Sequence, residues 1–156
     1  MKTEYLNLYN KLIKLTSNKS LYTGLNTQDT FSDRLTLFLL HFAFFLKVFK
    51  TPENEKILQK IYDFNFRQLE LNIREIGYGD QTVNKKMKDY INLFHSILSD
   101  IHFWDFTQSE NKSNYLTKFL YNFKNIDYLV QYFNDYCQNL EKYDLYSFLK
   151  CVNKQL

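Results

Sequence analysis

The chain has 156 residues, 45% hydrophobic and 19% aromatic, and a net charge of +3 from 20 basic and 17 acidic side chains. At that length one domain buries about two-thirds of its unfolded surface, so neither a disulfide nor a metal is required for stability. Three glycines, one proline and four valines exclude a turn-rich β-sandwich or barrel, and the charge is too mild to indicate nucleic acid by itself.

Taken in chain order, the elements read as helical almost throughout. Residues 4 to 16 place Tyr5, Leu8, Tyr9, Leu12 and Leu15 along one side. A polar loop, 17 to 30, contains Gly24 and ends in Asp29 and Thr30, both good N-cap types. The second helix, 31 to 49, carries Phe31, Leu35, Phe38, Phe42, Phe45 and Phe49 on one side and Leu37, Leu40, Phe44 and Val48 on another. A helix apolar around most of its circumference is a buried, central one. The same stretch holds His41 and Lys47 and falls short of the about 20 apolar residues that a membrane-crossing helix needs.

Thr51, Pro52 and Glu53 then supply an N-cap, a proline at the first helical position and an acid in the first turn. The third helix is predicted over 52 to 76, with Gly77 as the left-handed residue that ends it. In the connection 77 to 81, Gly79 lets the backbone reverse and Asp80 is placed to accept an N–H of the next helix. That fourth helix, 82 to 104, has its seam at Val83, Met87, Tyr90, Phe94, Ile97 and Ile101. Three shorter helices follow, 113 to 124, 126 to 141 and 144 to 154, with Asn125 and Asp144 as caps. No repeat or flexible linker interrupts the pattern, so the expectation is one all-α domain, 1 to 156, a bundle of six or seven helices.

Catalytic constellations fail in turn. His95 and His102 lie seven apart on one helix, but no HExxH or carboxylate pair accompanies them, so no metal site is expected. Cys137 and Cys151 show no ligand spacing and no neighbouring base, and read as reduced thiols. Gly77-Tyr78-Gly79-Asp80 lacks the third glycine of a dinucleotide loop and the Gly-Lys-Ser/Thr ending of a phosphate loop. No cofactor and no enzymatic activity are expected.

What remains is charge and aromatic surface. The densest charge pattern is Arg67, Glu70, Arg74, Glu75, Asp80, Lys85, Lys86 and Lys88. Glu70 and Arg74 can pair along a helix, and the three lysines lie off the seam and face solvent. Arg34 and His41, seven apart on the second helix, read as a buried polar pair bonded to a neighbouring helix or loop, with Asp29 and Asp33 at hand. The last third carries eleven Phe and Tyr residues between Tyr115 and Phe148, more than three thin helices readily hide, which leaves some for an exposed patch.

Two runs resemble a known family. Leu21-Tyr22-Thr23-Gly24-Leu25, then Asp29-Thr30-Phe31-Ser32-Asp33-Arg34 and the helix through His41, resemble the first half of the ubiquinol–cytochrome c chaperone domain. Arg74-Glu75-Ile76-Gly77-Tyr78-Gly79-Asp80, followed by Val83 and Lys85-Lys86-Met87-Lys88, is similar to that family's Arg-Glu-Met-Gly-Val-Gly-Asp run. The resemblance covers about 8 to 104 and leaves 105 to 156 unmatched; Ser32 stands where the family usually has Gly, and Tyr78 where Val is usual.

The resemblance implies an assembly chaperone for respiratory complex III that acts on nascent or newly inserted cytochrome b. It also implies possible contacts with the ribosome, the inner-membrane surface or a second small assembly protein, and no specific nucleic acid. Residues 1 to 10 hold Glu4 and no Arg, unlike a signal or transit peptide. The chain therefore looks like a bacterial member working in the cytoplasm, peripheral to the inner membrane. Arg74, Glu75, Asp80, Lys85, Lys86 and Lys88 are the expected partner surface. Tyr22, Gly24, Asp29, Thr30, Asp33, Arg34, His41, Gly77 and Gly79 are expected to shape the motifs. A ribosome- or RNA-associated helical protein, motivated by the lysines, is the alternative.

Overall fold

The computed structural model describes residues 2–26, 30–106 and 108–155 and is helical nearly throughout. Seven α-helices are seen among these residues: α1 (Lys2–Thr16), α2 (Phe31–Phe49), α3 (Glu55–Glu75), α4 (Asp80–Ile101), α5 (Ser109–Phe119), α6 (Ile126–Leu140) and α7 (Leu145–Gln155). Short 3-10 turns cover Lys19–Tyr22, Pro52–Asn54 and Trp104–Phe106. The all-α bundle read from periodicity is the fold observed.

The apolar circumference of α2 puts it at the centre. Every residue from Leu35 to Phe45 is buried, and α2 packs on α1, α4 and α6. Its start is set by a capping box: the Asp33 N–H donates to Thr30 Oγ1 (3.1 Å) and the Thr30 N–H donates to Asp33 Oδ2 (3.0 Å). Phenylalanines fill the space around it. Phe42 stacks on Phe94 of α4 at 5.1 Å, Phe44 on Phe133 of α6 at 5.0 Å, and Phe45 meets Phe148 of α7 at 5.7 Å. Much of the aromatic excess is therefore core. Each such pair adds about 0.5–1.5 kcal/mol beyond the area it buries.

Several boundaries differ from the periodicity reading, each for a local reason. Proline at 52 opens a 3-10 turn rather than α3 itself. Asn54 Nδ2 donates to the Phe49 carbonyl at 2.8 Å, while Thr51 makes no side-chain cap. Gly77 has φ +106° and ends α3 as expected. Gly79 occupies the N-cap of α4 and has no side chain to cap with, and Asp80 is paired with Arg74 instead.

The fifth helix stops at Phe119, five residues early. Residues 122 to 124 pair instead with the loop before α2: the Lys124 N–H donates to the Gly24 carbonyl (2.5 Å) and the Asn26 N–H to the Asn122 carbonyl (2.8 Å). A lone antiparallel bridge joins Leu25 and Phe123. Asn125 holds the N-cap position of α6 without using its side chain as a cap, whereas Asp144 accepts the Ser147 N–H at 2.7 Å.

Two buried side-chain amides, Asn65 and Asn125, are unmatched among the described residues. Asn65 on α3 is 1% exposed, and neither its Oδ1 nor its Nδ2 has a hydrogen-bond partner among the described residues. A buried unsatisfied amide costs about 1–3 kcal/mol, and leucine has nearly the same shape. Asn65→Leu should therefore raise stability by about 1–2 kcal/mol, read as a higher urea midpoint at an unchanged slope. An unchanged or lower midpoint would show that the amide is satisfied.

Candidate partner-binding surface

The second family-like run forms the end of α3, the glycine turn and the start of α4. Arg74 reaches across the turn: its guanidinium is paired with Asp80 and lies 3.5 Å from Glu70 one helical turn back. The Asp80 hydrogen bond, more than any other contact, holds the Arg74 pKa above its ordinary value. Arg74 thus bridges two helices around a glycine whose positive φ is strained for other residues. Glu75 is exposed beside it.

On α4, Val83 and Met87 point inward, and Lys85 and Lys88 are exposed as their register requires. Lys86 is half-buried, its ammonium 4.9 Å from the centre of the exposed Tyr78 ring. Tyr78, where the family usually has valine, thereby gains a cation–π partner from the lysine run.

The first run is structural at most of its positions. The Tyr22 hydroxyl donates to the Thr16 carbonyl at 2.6 Å and ties the end of α1 to the loop. A Cβ at Gly24 would lie 2.5 Å from Asn125, so only glycine fits between the loop and the start of α6. Asp33, besides capping α2, accepts from Asn122 Nδ2 at 3.0 Å. Asp29 lies outside the described residues.

The expected Arg34–His41 pair is not formed. Arg34 is exposed near the start of α2, while His41 is wholly buried two helical turns deeper. Two turns of register put residues on one side of a helix, but α2 slopes from surface to core between them. His41 Nδ1 donates to the Leu37 carbonyl at 2.7 Å, so Nε2 is left to accept from the Tyr132 hydroxyl at 2.6 Å. Burial pushes the His41 pKa down to about 4. It is a neutral core histidine that links α2 to α6.

Phe31, whose spacing belongs to the buried stripe of α2, is 44% exposed. It forms the rim of a groove of about 300 Å³ between α1, α2 and α3, together with Ile13, Arg34 and Ile76. Phe31 and Arg34 come from the first run and Ile76 from the second, so the fold joins the two runs at this groove. Register gave no signal for Ile76, which continues the Leu69–Ile73 stripe of α3; it is exposed because it sits at the C-cap, where the helix has run out of the core.

The other chemically suggestive groups separate. His95 is exposed and shares a 3.1 Å hydrogen bond with the Tyr62 hydroxyl, and no cluster of three or more His, Cys, Asp or Glu suited to a metal occurs among the described residues. Burial pushes the Cys137 thiol up to about 12, which keeps it protonated. Of the C-terminal aromatics, Phe123 and Phe133 are buried, while Tyr121, Tyr128, Tyr143 and Tyr146 stay exposed. No helix among the described residues is long and apolar enough to cross a membrane.

A family model described as ubiquinol–cytochrome C chaperone matches residues 23–150. The chain belongs to the ubiquinol–cytochrome c chaperone family. The match extends well beyond residue 104, the limit read from the two motifs, and takes in α5, α6 and the first half of α7. The bonds between 24–26 and 122–124 show why the C-terminal helices go with the first motif. A similar solved structure is that of the Cbp3 homolog from Brucella abortus, at 22% identity and a TM-score of 0.75 over 94% of this chain and 84% of that one. At that identity the likeness establishes the fold alone. Comparison with curated proteins finds no match.

Proposed function

We propose that this family member is a non-catalytic assembly chaperone for respiratory complex III, and that it binds newly made cytochrome b through protein–protein contacts. The observation that carries the reading is the family match over residues 23–150. The turn supports it physically. A bridge from Arg74 to Asp80 and Glu70 holds the helix ends together, so Glu75 and the lysines are presented on a preorganised surface. Cytochrome b is made as a polytopic membrane protein, so the reading places the chaperone at the cytoplasmic face of the inner membrane. There a ribosome or a second small assembly protein can also meet it.

Changing Lys85, Lys86 and Lys88 together to Glu should abolish co-purification with cytochrome b while the far-ultraviolet circular dichroism stays the same. All three lie off the buried seam, so folding is not at stake. Full retention of cytochrome b would reduce the lysines to a solvated face. Co-sedimentation with ribosomes that disappears steeply with salt, without cytochrome b binding, would instead favour the RNA-associated reading.

A further inference from the structure

Tyr78 stands between the two glycines of the turn, where the family usually has valine, and is 44% exposed. Its ring centre lies 4.9 Å from the Lys86 ammonium. Tyr90 is one helical turn beyond Lys86 on α4, and its pKa is raised by burial and, after that, by the neighbouring Tyr78. The turn and the α4 surface thus meet at Tyr78, Lys86 and Tyr90.

This contact sets one of the three lysines apart. Lys85 and Lys88 are exposed, with neither an ion pair nor a ring contact among the described residues. A free lysine side chain gives up rotamer freedom when it binds a partner. Lys86 is half-buried, and the ring holds its ammonium in place before any partner arrives. The ring attracts that charge without neutralising it, and Lys86 makes no ion pair among the described residues. The turn that carries Tyr78 is itself clamped, because Arg74 pairs with Asp80 and Glu70 across it.

The surrounding charges decide what kind of partner fits. Glu70, Glu75, Asp80 and Asp89 stand among the bases, and between residues 70 and 90 the two signs balance. A phosphate polymer or an anionic lipid surface follows net positive charge, and here it would also meet four carboxylates. A protein segment can bring one carboxylate to one ammonium and keep clear of the acids. Tyrosine also suits a protein contact, since it offers a large rigid surface at low entropic cost.

We infer that Lys86 anchors the client contact by receiving a carboxylate from an acidic segment of a protein, and that Tyr78 is the residue that positions it. The inference rests on the chaperone reading and deepens it: it ranks the three lysines and specifies the client group that they meet.

The test uses the full chain and fluorescein-labelled 18-residue peptides, read by anisotropy. One set tiles the segments of cytochrome b that lie outside the membrane. A designed pair has leucines around a single central Glu or Gln. Lys86→Met should weaken binding of the acid-bearing peptides at least tenfold, and Lys85→Met and Lys88→Met about twofold each. Tyr78→Val should cost about fivefold, and Tyr78→Phe, which keeps the ring, should recover most of that loss. The salt dependence separates the two roles. Lys86→Met removes a charge and should flatten the fall of affinity with salt, whereas Tyr78→Val removes none and should leave that slope as it is.

Equal losses for the three Lys→Met variants overturn the inference, and so does natural affinity in the Tyr78→Val chain. Failure of every acid-bearing peptide to bind, or equal binding of the Glu and Gln forms, overturns it as well. Tighter binding of ribosomal RNA or of phosphatidylglycerol vesicles than of the peptides, lost with Lys86→Met, would assign the lysine to phosphate instead. The two readings fail separately. If cytochrome b co-purifies undiminished with the Lys86→Met and Tyr78→Val chains, the anchor assignment falls and the chaperone reading stands. If cytochrome b never co-purifies but the Glu peptide binds with the Lys86 and Tyr78 dependence, the reverse holds.

Discussion

Truncating Trp104 to alanine should destabilise the protein by about 3–5 kcal/mol, the usual cost of deleting a large buried aromatic. Trp104 is the sole tryptophan and is 1% exposed. Its ring meets Phe44 of α2 edge-on at 4.9 Å, and Phe44 in turn stacks on Phe133 of α6. The indole N–H donates to Asn134 Oδ1 at 2.9 Å, and the Lys112 ammonium sits 5.0 Å from the ring centre. One residue therefore links α2, α5 and α6, and its removal leaves a cavity at their junction.

Trp104→Phe separates the contributions. It keeps most of the packing and loses the indole donor, but Asn134 Oδ1 retains the Lys112 ammonium at 3.1 Å. The phenylalanine variant should lose no more than about 2 kcal/mol. Urea unfolding followed by circular dichroism gives both values. A Trp104→Ala cost below about 1 kcal/mol would mean that the C-terminal helices do not depend on this junction.

Acidification should destabilise the protein through His41, by about 2–3 kcal/mol between pH 7 and pH 4.5. The ring is wholly buried, with Tyr132, Phe133 and Tyr136 edge-on around it, and burial lowers its pKa from 6.5 to about 4. The folded state therefore binds fewer protons than the unfolded state between those two values, and stability rises with pH across the window. Above about pH 6.5 the contribution is complete; it is lost progressively down to about pH 4.

The control is His41→Leu combined with Tyr132→Phe, which removes both ends of the Nε2 bond and strands neither. Urea midpoints at pH 7 and pH 4.5 should fall further apart for the natural chain than for the double variant. Equal pH dependence in the two proteins would show that His41 accepts its proton without cost.

Much of the architecture was legible because the helices are strongly periodic. Residues of α2 are apolar on nearly every side, so its central position followed from the sequence, and the α4 seam from Val83 to Ile101 is buried with only Tyr90 half-exposed. Gly77 marked the end of α3 because few other residues tolerate its φ. Where the reading failed, a tertiary partner had outcompeted a local preference. Asp80 is a good helix cap in isolation, yet the guanidinium six residues upstream is a stronger donor to its carboxylate than a backbone N–H. Residues 122 to 124 are helix-compatible, yet their backbone pairs with a loop almost a hundred residues earlier.

The candidate surface divides in the same way. The lysines at 85, 86 and 88 and the Arg74–Glu70 pair lie within one helix–turn–helix, where spacing alone dictates which side chains share a face. The groove was not legible, because it is made by three helices whose contributions, Ile13, Phe31 with Arg34, and Ile76, are separated by tens of residues. Phe31 shows the limit well: its spacing belongs to the buried stripe, but it sits on the first turn of α2, where the helix has not yet entered the core.

The composition and periodicity of this chain determine an all-α bundle wound around one greasy helix, and the two short motifs mark its family. Only the tertiary structure decided that Arg34 and His41 part company, that the C-terminal helices close on the first motif, and that both motifs meet at one apolar groove. The physical reason is range. Helical register and turn chemistry act over a few residues, and a sequence displays them directly. Burial and partner choice depend on which distant elements arrive at the same place.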